Sequence, residues 1–316
     1  MTLAIASDLI ATLEREEFGE ALERLCVSEW HSGTLQETRI QPIRRHRNRC
    51  TVAIVVNSRT GQHELIGKIY ADDRADVFDT MRRLRRDGFG TESDNSVPTP
   101  FGWLPALRVR LEEKIEGSPM NDVIRNGRST DWTAAAERCG EWLGRFHRSA
   151  PQPDNGHDLG AKLAHNHEAT TRMTKLRHKA ELLLAQLEEA APMDAAVPRC
   201  AGHGSFIPDH VILSGQRTVV IDLDEHDTAD PSRDVATFLV ALQRRAIKLL
   251  AARHALDSAA DAFVEAYTAS GPPGALVNLP LYHALVYLGR ARRDLYNRMP
   301  ELAEFMLDQA LRLVSH

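Results

Sequence analysis

The chain has 316 residues, 43% of them hydrophobic and 26% charged, which is the composition of a globular protein with one or two domains. Its formal net charge of −5 gives no indication of a nucleic acid or an anionic membrane as a partner. We expect no membrane span and no signal peptide, because no apolar run reaches roughly 18 residues and residues 1–14 lack a basic start with an apolar core. The four cysteines are far apart and form no C-x-x-C pair, so we expect reduced thiols in a cytoplasmic protein.

The N-terminal third is predicted to be mainly β-structure. Apolar residues at helical spacing predict a first helix within residues 1–25. Runs rich in β-branched residues, separated by polar turns, predict three strands at residues 39–43, 51–56 and 64–70. A charged helix is predicted at residues 73–86, and a further strand at residues 108–115 ends near Gly117.

Beyond Gly117 the pattern is mostly helical. Helices are predicted at residues 119–125, 133–148, 159–190 and 232–254, and in two or three pieces from residue 257 onward. One β interruption is predicted, a hairpin whose strands at 210–213 and 218–222 flank a turn containing Gly215. The sequence therefore predicts an α+β fold, with a β-rich part at residues 1–116 and a larger helical part at residues 117–316.

An acidic cluster follows the second strand of this hairpin. Five acids lie between Asp222 and Asp230, and the simplest interpretation of such a cluster is a solvated loop. However, Asp222 follows directly on an apolar strand, which fixes its position, and Asp224 is two residues further on. Two carboxylates at this spacing can approach one hard cation such as Mg²⁺, together with phosphate and water. The cluster is therefore a candidate metal site.

Two basic features of the N-terminal part each have two interpretations. Lys68 is flanked by apolar residues in a predicted strand, where it either faces solvent at an edge or supplies a point charge for phosphate. The arginine-rich run at residues 44–49 lies between the first two strands, where a solvated turn is favoured over a clasp for phosphates. This run contains no glycine, which such a clasp usually has.

The segment G-H-G-S-F-I-P-D-H, residues 202–210, predicts a restrained loop. Gly202 and Gly204 indicate tight backbone turns on either side of His203, and Pro208 fixes another turn. A single histidine near a core is more often structural than catalytic. A restrained loop that leads into a hairpin and then into acids is a stronger candidate site than either of its histidines alone.

These features occur in the order found in the aminoglycoside phosphotransferase family, and the chain resembles that family over nearly its whole length. The family's loop is approximately H-G-D-x-x-P-x-N, followed by a hairpin, I-D-x-x and D-P-x-x-D. This sequence has H-G-S-F-I-P-D-H, V-I-D-L-D and D-P-S-R-D in the same order. The segments L-G-R-F-H-R (143–148) and E-E-K-I-E-G (112–117) resemble the family's helix before the acceptor region and its hinge. The resemblance implies a bilobal protein-kinase-like fold with a β-rich N-lobe and a mainly helical C-lobe.

The resemblance also implies that the chain uses ATP, or another NTP, together with Mg²⁺. Lys68 would bind the α- and β-phosphates, and the backbone from Glu113 to Ile115 would hold the adenine. In the family a helix glutamate pairs with the lysine, and this sequence has no clear match for it. Asp76 and Asp79 are the nearest candidates, with a shorter reach.

For the metal and the loop, the resemblance implies that Asp222 binds Mg²⁺, that Asp224 is a candidate second ligand, and that Asp234 braces the loop. His210 stands where the family has a metal-binding asparagine. Imidazole is a softer ligand than Mg²⁺ prefers, so this departure affects the metal site.

The second departure affects catalysis, because Ser205 occupies the position of the family's catalytic aspartate. A serine hydroxyl does not accept a proton usefully at neutral pH, although it can orient an acceptor hydroxyl. Asp209, four residues along the same loop, and Asp224 are candidate replacements for the base. We therefore assign His203, Ser205 and Asp209 as the candidate catalytic residues.

Three functions remain to be weighed. The first is a phosphotransferase that acts on a hydroxyl of a small molecule or of a precursor peptide. The second is a pseudokinase, a nucleotide-binding or scaffolding module without phosphotransfer, since a fold does not settle a function. The third, a nucleic-acid binder that uses the arginine run, lacks a recognition motif. The mixed charges of the last 60 residues, among them Arg290, Arg293 and Asp294, indicate no preference for a polycationic acceptor.

Overall fold

The computed structural model describes residues 9–31, 35–46, 48–59, 61–170, 173–191 and 198–314. The chain divides into two compact units. The N-terminal unit comprises the chain up to Gly117 together with Ser214–Ile221, and the C-terminal unit comprises Ser118–Leu213 and the chain from Asp222 onward. Within the described residues, none of the helices combines the length and the hydropathy that crossing a bilayer requires.

The strands and helices are numbered in chain order. The strands are β1 (Leu35–Arg45), β2 (Arg49–Ser58), β3 (Gly61–Tyr70), β4 (Asn95–Ser96), β5 (Pro100–Leu104), β6 (Val109–Glu113), β7 (Ser118–Pro119), β8 (Cys200–Gly202), β9 (Val211–Ser214), β10 (Arg217–Val220) and β11 (Asp227–Ala229). The helices are α1 (Glu16–Ser28), α2 (Ala75–Leu84), α3 (Met120–Asn126), α4 (Ser129–Ser149), α5 (Leu159–Thr170), α6 (Arg177–Ala190), α7 (Ser232–Leu250), α8 (Asp257–Ser270), α9 (Leu279–Tyr296) and α10 (Pro300–Val314).

The N-terminal unit contains an antiparallel sheet in the order β1-β2-β3-β6-β5. Alternate residues of β2, from Cys50 to Val56, are buried and pack with Leu65 and Ile69 of β3 and with apolar residues of α1 in one core. Because side chains alternate between the two faces of a strand, Lys68 lies on the face opposite Leu65 and Ile69. β10 adds to this unit by pairing in parallel with β4.

The C-terminal unit is mainly helical. One core is formed by α5, α6, α9 and α10 with one face of α7, and it includes Leu187, Val240 and Leu307. A chain of aromatic rings runs through the unit beside this core: Phe206 stacks on Trp142 at 5.8 Å between centroids and lies 5.2 Å from Phe238. Phe206 belongs to the candidate loop, so this packing ties the loop to α4 and α7.

The predicted α+β class is confirmed, and local predictions differ from the structure at several points, among them the strands β4, β5 and β7, which were not predicted. The single helix predicted at residues 159–190 is two helices, α5 and α6, separated by a segment that ends in a 3₁₀ turn at Thr174–Leu176. The helix predicted to reach residue 254 ends at Leu250, after which Ala251 adopts a left-handed conformation. The pair β8 and β11 was not predicted, because three-residue strands carry too little periodicity.

Candidate active site

The candidate loop starts at the end of β8, which pairs antiparallel with β11 so that Gly202 lies opposite Asp227. His226 fixes this point, because its Nδ1 donates a hydrogen bond to the carbonyl oxygen of Gly202 at 2.8 Å. Burial lowers the pKa of His226 from its ordinary value. The ring is therefore neutral at physiological pH and acts as a fixed donor to the start of the loop.

Gly204 is required by the backbone of the loop. Its φ of +79° lies in the left-handed region, and a Cβ at this position would collide with the carbonyl oxygen of Glu225. Only glycine meets both conditions, since it has no Cβ. The glycine after His203 therefore lets the loop pass closely beneath the acidic segment that follows β10.

Asp234, near the start of α7, holds the loop from below. Its Oδ2 accepts a hydrogen bond from the backbone N–H of His203 at 2.6 Å, and its Oδ1 accepts one from the N–H of Gly204 at 3.0 Å. The side chain is buried, and His147 Nε2 lies 3.4 Å from Oδ2. His147 is itself held by the hydroxyl of Tyr267, 2.8 Å from its Nδ1. The predicted bracing residue thus contacts two consecutive amides of the loop.

The charge of Asp234 is balanced inside this network. Burial alone would raise the pKa of Asp234, but the Arg233 guanidinium and the hydrogen bond from His147 bring that pKa well below its usual range. Arg233 also forms a two-pronged pair with Asp227, at 2.5 and 2.6 Å. Asp234 is therefore ionised at physiological pH, and we refer to Asp234, Arg233, Asp227, His147 and Tyr267 as the brace.

Ser205 lies in the middle of the loop and is partly exposed. Its backbone N–H donates to His203 Nδ1 at 3.3 Å, and its Oγ lies 3.4 Å from the same nitrogen. The His203 ring is fully buried and lies edge-on to Trp142 and Phe206. His203 therefore supports the loop from the core side through its contacts with Ser205.

His210 connects the loop to the first acid after β10. Its Nδ1 donates to the carbonyl oxygen of Ser205 at 2.9 Å, and its Nε2 lies 3.4 Å from Oδ2 of Asp222. Asp222 has the left-handed conformation, with φ 67° and ψ 53°, which is uncommon for a residue with a side chain and concentrates at functional sites. Asp224 follows in a 3₁₀ turn and is buried.

The described residues around this loop offer few protein ligands for a metal ion. In the described part of the chain, no group of three or more His, Cys, Asp or Glu side chains is arranged to hold a metal ion. His210 and Asp222 bring an imidazole and a carboxylate together, a donor pair that fits a cation completed by phosphate oxygens and water.

Asp209 has two partners that the sequence did not indicate. Arg245 of α7 donates to its Oδ2, and Asn121 of α3 donates to its Oδ1. Arg245 and Asn121 are also joined, by a 2.7 Å bond from Nε to Oδ1. Both carboxylate oxygens of Asp209 are therefore engaged, and Asp209 must leave this triangle before it can accept a proton from a substrate.

The remaining candidates belong to the N-terminal unit. Lys68 is 6% exposed and is paired in register with Thr51 of β2 and Arg110 of β6. Glu113 ends β6, and its Oε2 accepts hydrogen bonds from the N–H and the hydroxyl of Thr99, at 3.0 and 2.8 Å. Ile115 follows two residues later and is partly buried. The strand end predicted to hold the adenine is thus fixed by a side chain.

The two candidate partners of Lys68 differ from it in burial. Asp76 and Asp79 are exposed on α2, and Oδ1 of Asp76 accepts from Arg74 at 3.0 Å. The arginine-rich turn is also a surface feature, since Arg44 and Arg45 are exposed. Arg47, in the same turn, lies outside the described residues.

Comparison with solved structures places the fold. A thermostable mutant of aminoglycoside phosphotransferase APH(4)-Ia in its apo form has a TM-score of 0.62 and 14% identity, over 93% of this chain and 98% of that chain. Choline kinase LicA from Streptococcus pneumoniae has a TM-score of 0.60 and 12% identity, over 95% and 99%. Amicoumacin kinase hAmiN, solved with AMP-PNP, Ca²⁺ and Ami, has a TM-score of 0.60 and 12% identity, over 96% of both chains. At these identities the likeness shows the kinase-like fold alone.

Sequence comparison gives the family. No curated protein matches the chain in sequence. The profile of the phosphotransferase enzyme family (APH) matches residues 54–276, which is well over half of the chain and contains both Lys68 and the whole candidate loop. The resemblance inferred from the loop, the hairpin and the acids is thereby confirmed, and the chain belongs to the phosphotransferase enzyme family.

Proposed function

We propose that this protein is a phosphotransferase that uses ATP, or another NTP, and Mg²⁺ to phosphorylate a hydroxyl of a small molecule or of a precursor peptide. The observation that carries this proposal is the brace, in which Asp234 holds the amides of His203 and Gly204 at 2.6 and 3.0 Å. The brace fixes the backbone of the loop whether residue 205 is an aspartate or a serine.

The loss of a carboxylate at Ser205 does not by itself remove phosphoryl transfer. A positioned general base contributes about 10²–10⁴-fold to a rate. Phosphoryl transfer passes through a loose transition state, in which positioning and charge neutralisation contribute most of the catalysis. A chain that keeps the loop geometry, Lys68 and Asp222 therefore keeps the larger contributions.

We assign the nucleotide contacts to the N-terminal unit and the metal contacts to the C-terminal unit, each from the resemblance of its own residues. Lys68 would bind the α- and β-phosphates, and the backbone from Glu113 to Ile115 would hold the adenine. Asp222 would bind Mg²⁺, with Asp224 as second carboxylate. A bound Mg²⁺ supplies neutralisation of phosphate charge.

The replacement of asparagine by His210 has a consequence for the choice of metal. The Nδ1 of His210 donates to the carbonyl oxygen of Ser205, and Nε2 is the nitrogen that faces Asp222. A nitrogen ligand suits Mn²⁺ better than Mg²⁺. We expect nucleotide binding to be at least as tight with Mn²⁺ as with Mg²⁺, and His210→Asn to shift the preference toward Mg²⁺.

For the acceptor, we propose that the hydroxyl of Ser205 orients the substrate hydroxyl by hydrogen bonding. Asp209 is the nearest carboxylate in the sequence of the loop, but its pairing with Arg245 and Asn121 opposes a role as base. Asp224 stays as the second candidate. The proton can also leave late, to solvent, because the loose transition state makes little demand on a base.

The alternative function is that of a pseudokinase, and Ser205 is the observation that favours it. The two functions differ in one measurable product. Incubation with labelled ATP, Mg²⁺ and a panel of hydroxyl acceptors is expected to give labelled acceptor with the wild-type chain and none with Asp222→Ala. Nucleotide binding without transfer to any acceptor or to water would support the pseudokinase.

A further inference from the structure

A group of basic side chains lies where α7 and α9 pack in the C-terminal unit. The two helices are joined by a hydrogen bond of 2.8 Å from the hydroxyl of Tyr287 to Gln243, and by a two-pronged pair between Arg244 and Asp294, one prong measuring 2.7 Å. Tyr287 and Asp294 are two helical turns apart. Arg290 lies between them, at i+3 from one and i−4 from the other, and therefore on the same face of α9.

The cations of this group outnumber its acids. We call the five side chains Arg244, Arg245, Lys248, Arg290 and Arg293 the basic cluster. Two of the five are neutralised, since Arg244 pairs with Asp294 and Arg245 pairs with Asp209. Five cations against two carboxylates leave an excess of three positive charges.

The three remaining cations have no ion pair or hydrogen bond from their side chains among the described residues. Lys248 and Arg293 are exposed, whereas Arg290 is largely covered. Burial, followed by the charges of Arg293, Arg244 and Arg245, lowers the pKa of Arg290 to about 10. Burial and the neighbouring arginines also lower the pKa of Lys248. Arg290 therefore lies largely covered among like charges, while Lys248 stays exposed beside them.

The basic cluster adjoins the candidate loop. Arg245 is one of its five members and holds Asp209, which lies four residues after Ser205 in the loop. Arg245 also binds Asn121 of α3 at 2.7 Å. A group bound against Arg245 and Arg290 would therefore lie on the side of the C-terminal unit from which Asp209 is held.

We propose that the basic cluster binds an oxyanion, a carboxylate or a phosphate, carried by the hydroxyl acceptor. Arg290, Arg293 and Lys248 provide the charge, and the guanidinium groups provide paired donors that match the geometry of an oxyanion. Arg244 and Arg245 are already paired with Asp294 and Asp209. This inference rests on the proposed function, and it assigns the acceptor to anionic small molecules. A polycationic acceptor is disfavoured by the same excess of positive charge.

Direct anion binding tests the inference without any nucleotide. Calorimetric titration of the wild-type chain with inorganic phosphate and, separately, with citrate is expected to give saturable binding that weakens as ionic strength rises. Arg290→Gln is expected to weaken binding at least tenfold. Arg312→Ala removes an exposed arginine of α10 outside the cluster and is expected to leave binding unchanged.

A second variant, Lys248→Ala, keeps the inference testable if Arg290→Gln does not fold. Lys248→Ala alters an exposed side chain and is expected to keep the wild-type unfolding temperature while weakening anion binding at least threefold. Binding to phosphate alone or to citrate alone identifies the oxyanion. Absence of binding to both anions, or equal binding by wild type, Arg290→Gln and Lys248→Ala, overturns the inference.

Failure of the inference and failure of the proposed function give different results. If the protein binds ATP with Mg²⁺ but binds neither anion, the proposal of an anionic acceptor fails and the proposed phosphotransferase function stands. If the protein binds the anions but does not bind ATP under any condition, the oxyanion site stands and the proposed phosphotransferase function fails.

Discussion

The brace and the basic cluster are two charged regions of one unit, both anchored on α7, and they differ in balance. In the brace, Asp234 is buried, accepts two backbone N–H groups and lies beside Arg233 and His147, so each oxygen of its carboxylate has partners. In the basic cluster, five cations share two carboxylates, so three positive charges are in excess. A buried charge is tolerated when it is paired, so the brace is expected to act on stability and loop geometry. An uncompensated cluster at the surface is expected to act on a ligand.

The largest effect is expected at the brace. Asp234→Asn places an amide N–H₂ against a backbone N–H and leaves Arg233 short of a counter-charge. Removing one partner of a buried ion pair costs about 3–5 kcal/mol. We expect a loss of this size in the free energy of unfolding measured with urea at pH 7, whereas Glu265→Gln, at an exposed position of α8, should change it by less than about 0.5 kcal/mol.

The sign of the pH dependence follows from the pKa of Asp234. Its folded pKa lies below the ordinary value of 3.8, so its contribution to stability is complete above that value and is lost as pH falls through the folded pKa. The difference between wild type and Asp234→Asn should therefore shrink only below about pH 4. A difference that is small at pH 7 would contradict the brace.

The next largest effect is expected when the side chain of Lys68, proposed to bind phosphate, is removed. Lys68→Ala is expected to lower kcat/KM for ATP-dependent phosphotransfer by about 10²-fold or more, because a fixed cation near transferring phosphate stabilises developing charge. The unfolding temperature should stay within a few degrees of wild type. Lys175→Ala, at an exposed position of the C-terminal unit, is the matched control. Unchanged kinetics in Lys68→Ala would remove the assignment.

A smaller effect is expected at His283, whose ring nitrogen Nε2 is buried without a hydrogen-bond partner among the described residues. It lines a cavity of about 230 Å³ between α7, α8 and α9 and stacks on Tyr287 at 4.9 Å. Burial lowers its pKa from 6.5 to about 4. Between these values the unfolded chain binds a proton that the folded chain does not, so stability falls as pH drops from about 6.5 to 4.

Replacement of His283 makes this dependence measurable. His283→Phe keeps the ring stacking but has no titratable group at this position. Between pH 7 and pH 5 the free energy of unfolding of the wild type should therefore fall by about 1–2 kcal/mol more than that of His283→Phe. His178→Gln, at an exposed position, should follow the wild-type curve. Parallel curves for wild type and His283→Phe would show that burial does not suppress protonation here.

The smallest effect is expected at Asp209. Because Arg245 and Asn121 occupy both of its carboxylate oxygens, we expect Asp209→Asn to lower kcat by less than about tenfold and to act mainly on KM for the acceptor. Steady-state kinetics with a phosphorylatable acceptor separate the two parameters. A fall in kcat of about 10²-fold or more would instead identify Asp209 as the base that replaces the missing aspartate.

Much of the fold was predictable from the sequence, because its signals are local. The alternation of apolar residues in β2 predicts a half-buried strand, and the apolar flanks of Lys68 predict its place in β3. Tight turns were predicted at Gly202 and Gly204; the φ of +79° at Gly204 confirms one, whereas Gly202 is the last residue of strand β8. The break between α5 and α6 was missed because apolar residues continue at helical spacing on both sides of it.

The partners of the site residues could not be predicted, because they depend on tertiary contacts between distant positions. Arg245 lies 36 residues beyond Asp209, and Tyr267 lies 120 residues beyond His147. No spacing rule connects such positions in a single sequence. The excess charge near Arg290 was likewise hidden, since its neighbours on α7 are about 45 residues earlier in the chain.

The proposed function requires that the chain still binds a metal ion and a nucleotide although Ser205 replaces the catalytic aspartate. Calorimetric titration with ATP, with and without Mg²⁺, on wild type and on Asp222→Ala tests it most directly. We expect the wild type to bind ATP only with Mg²⁺, and Asp222→Ala to lose this binding while it keeps the wild-type unfolding temperature. Absence of ATP binding under every condition, or binding that is indifferent to both Mg²⁺ and Asp222, would contradict it.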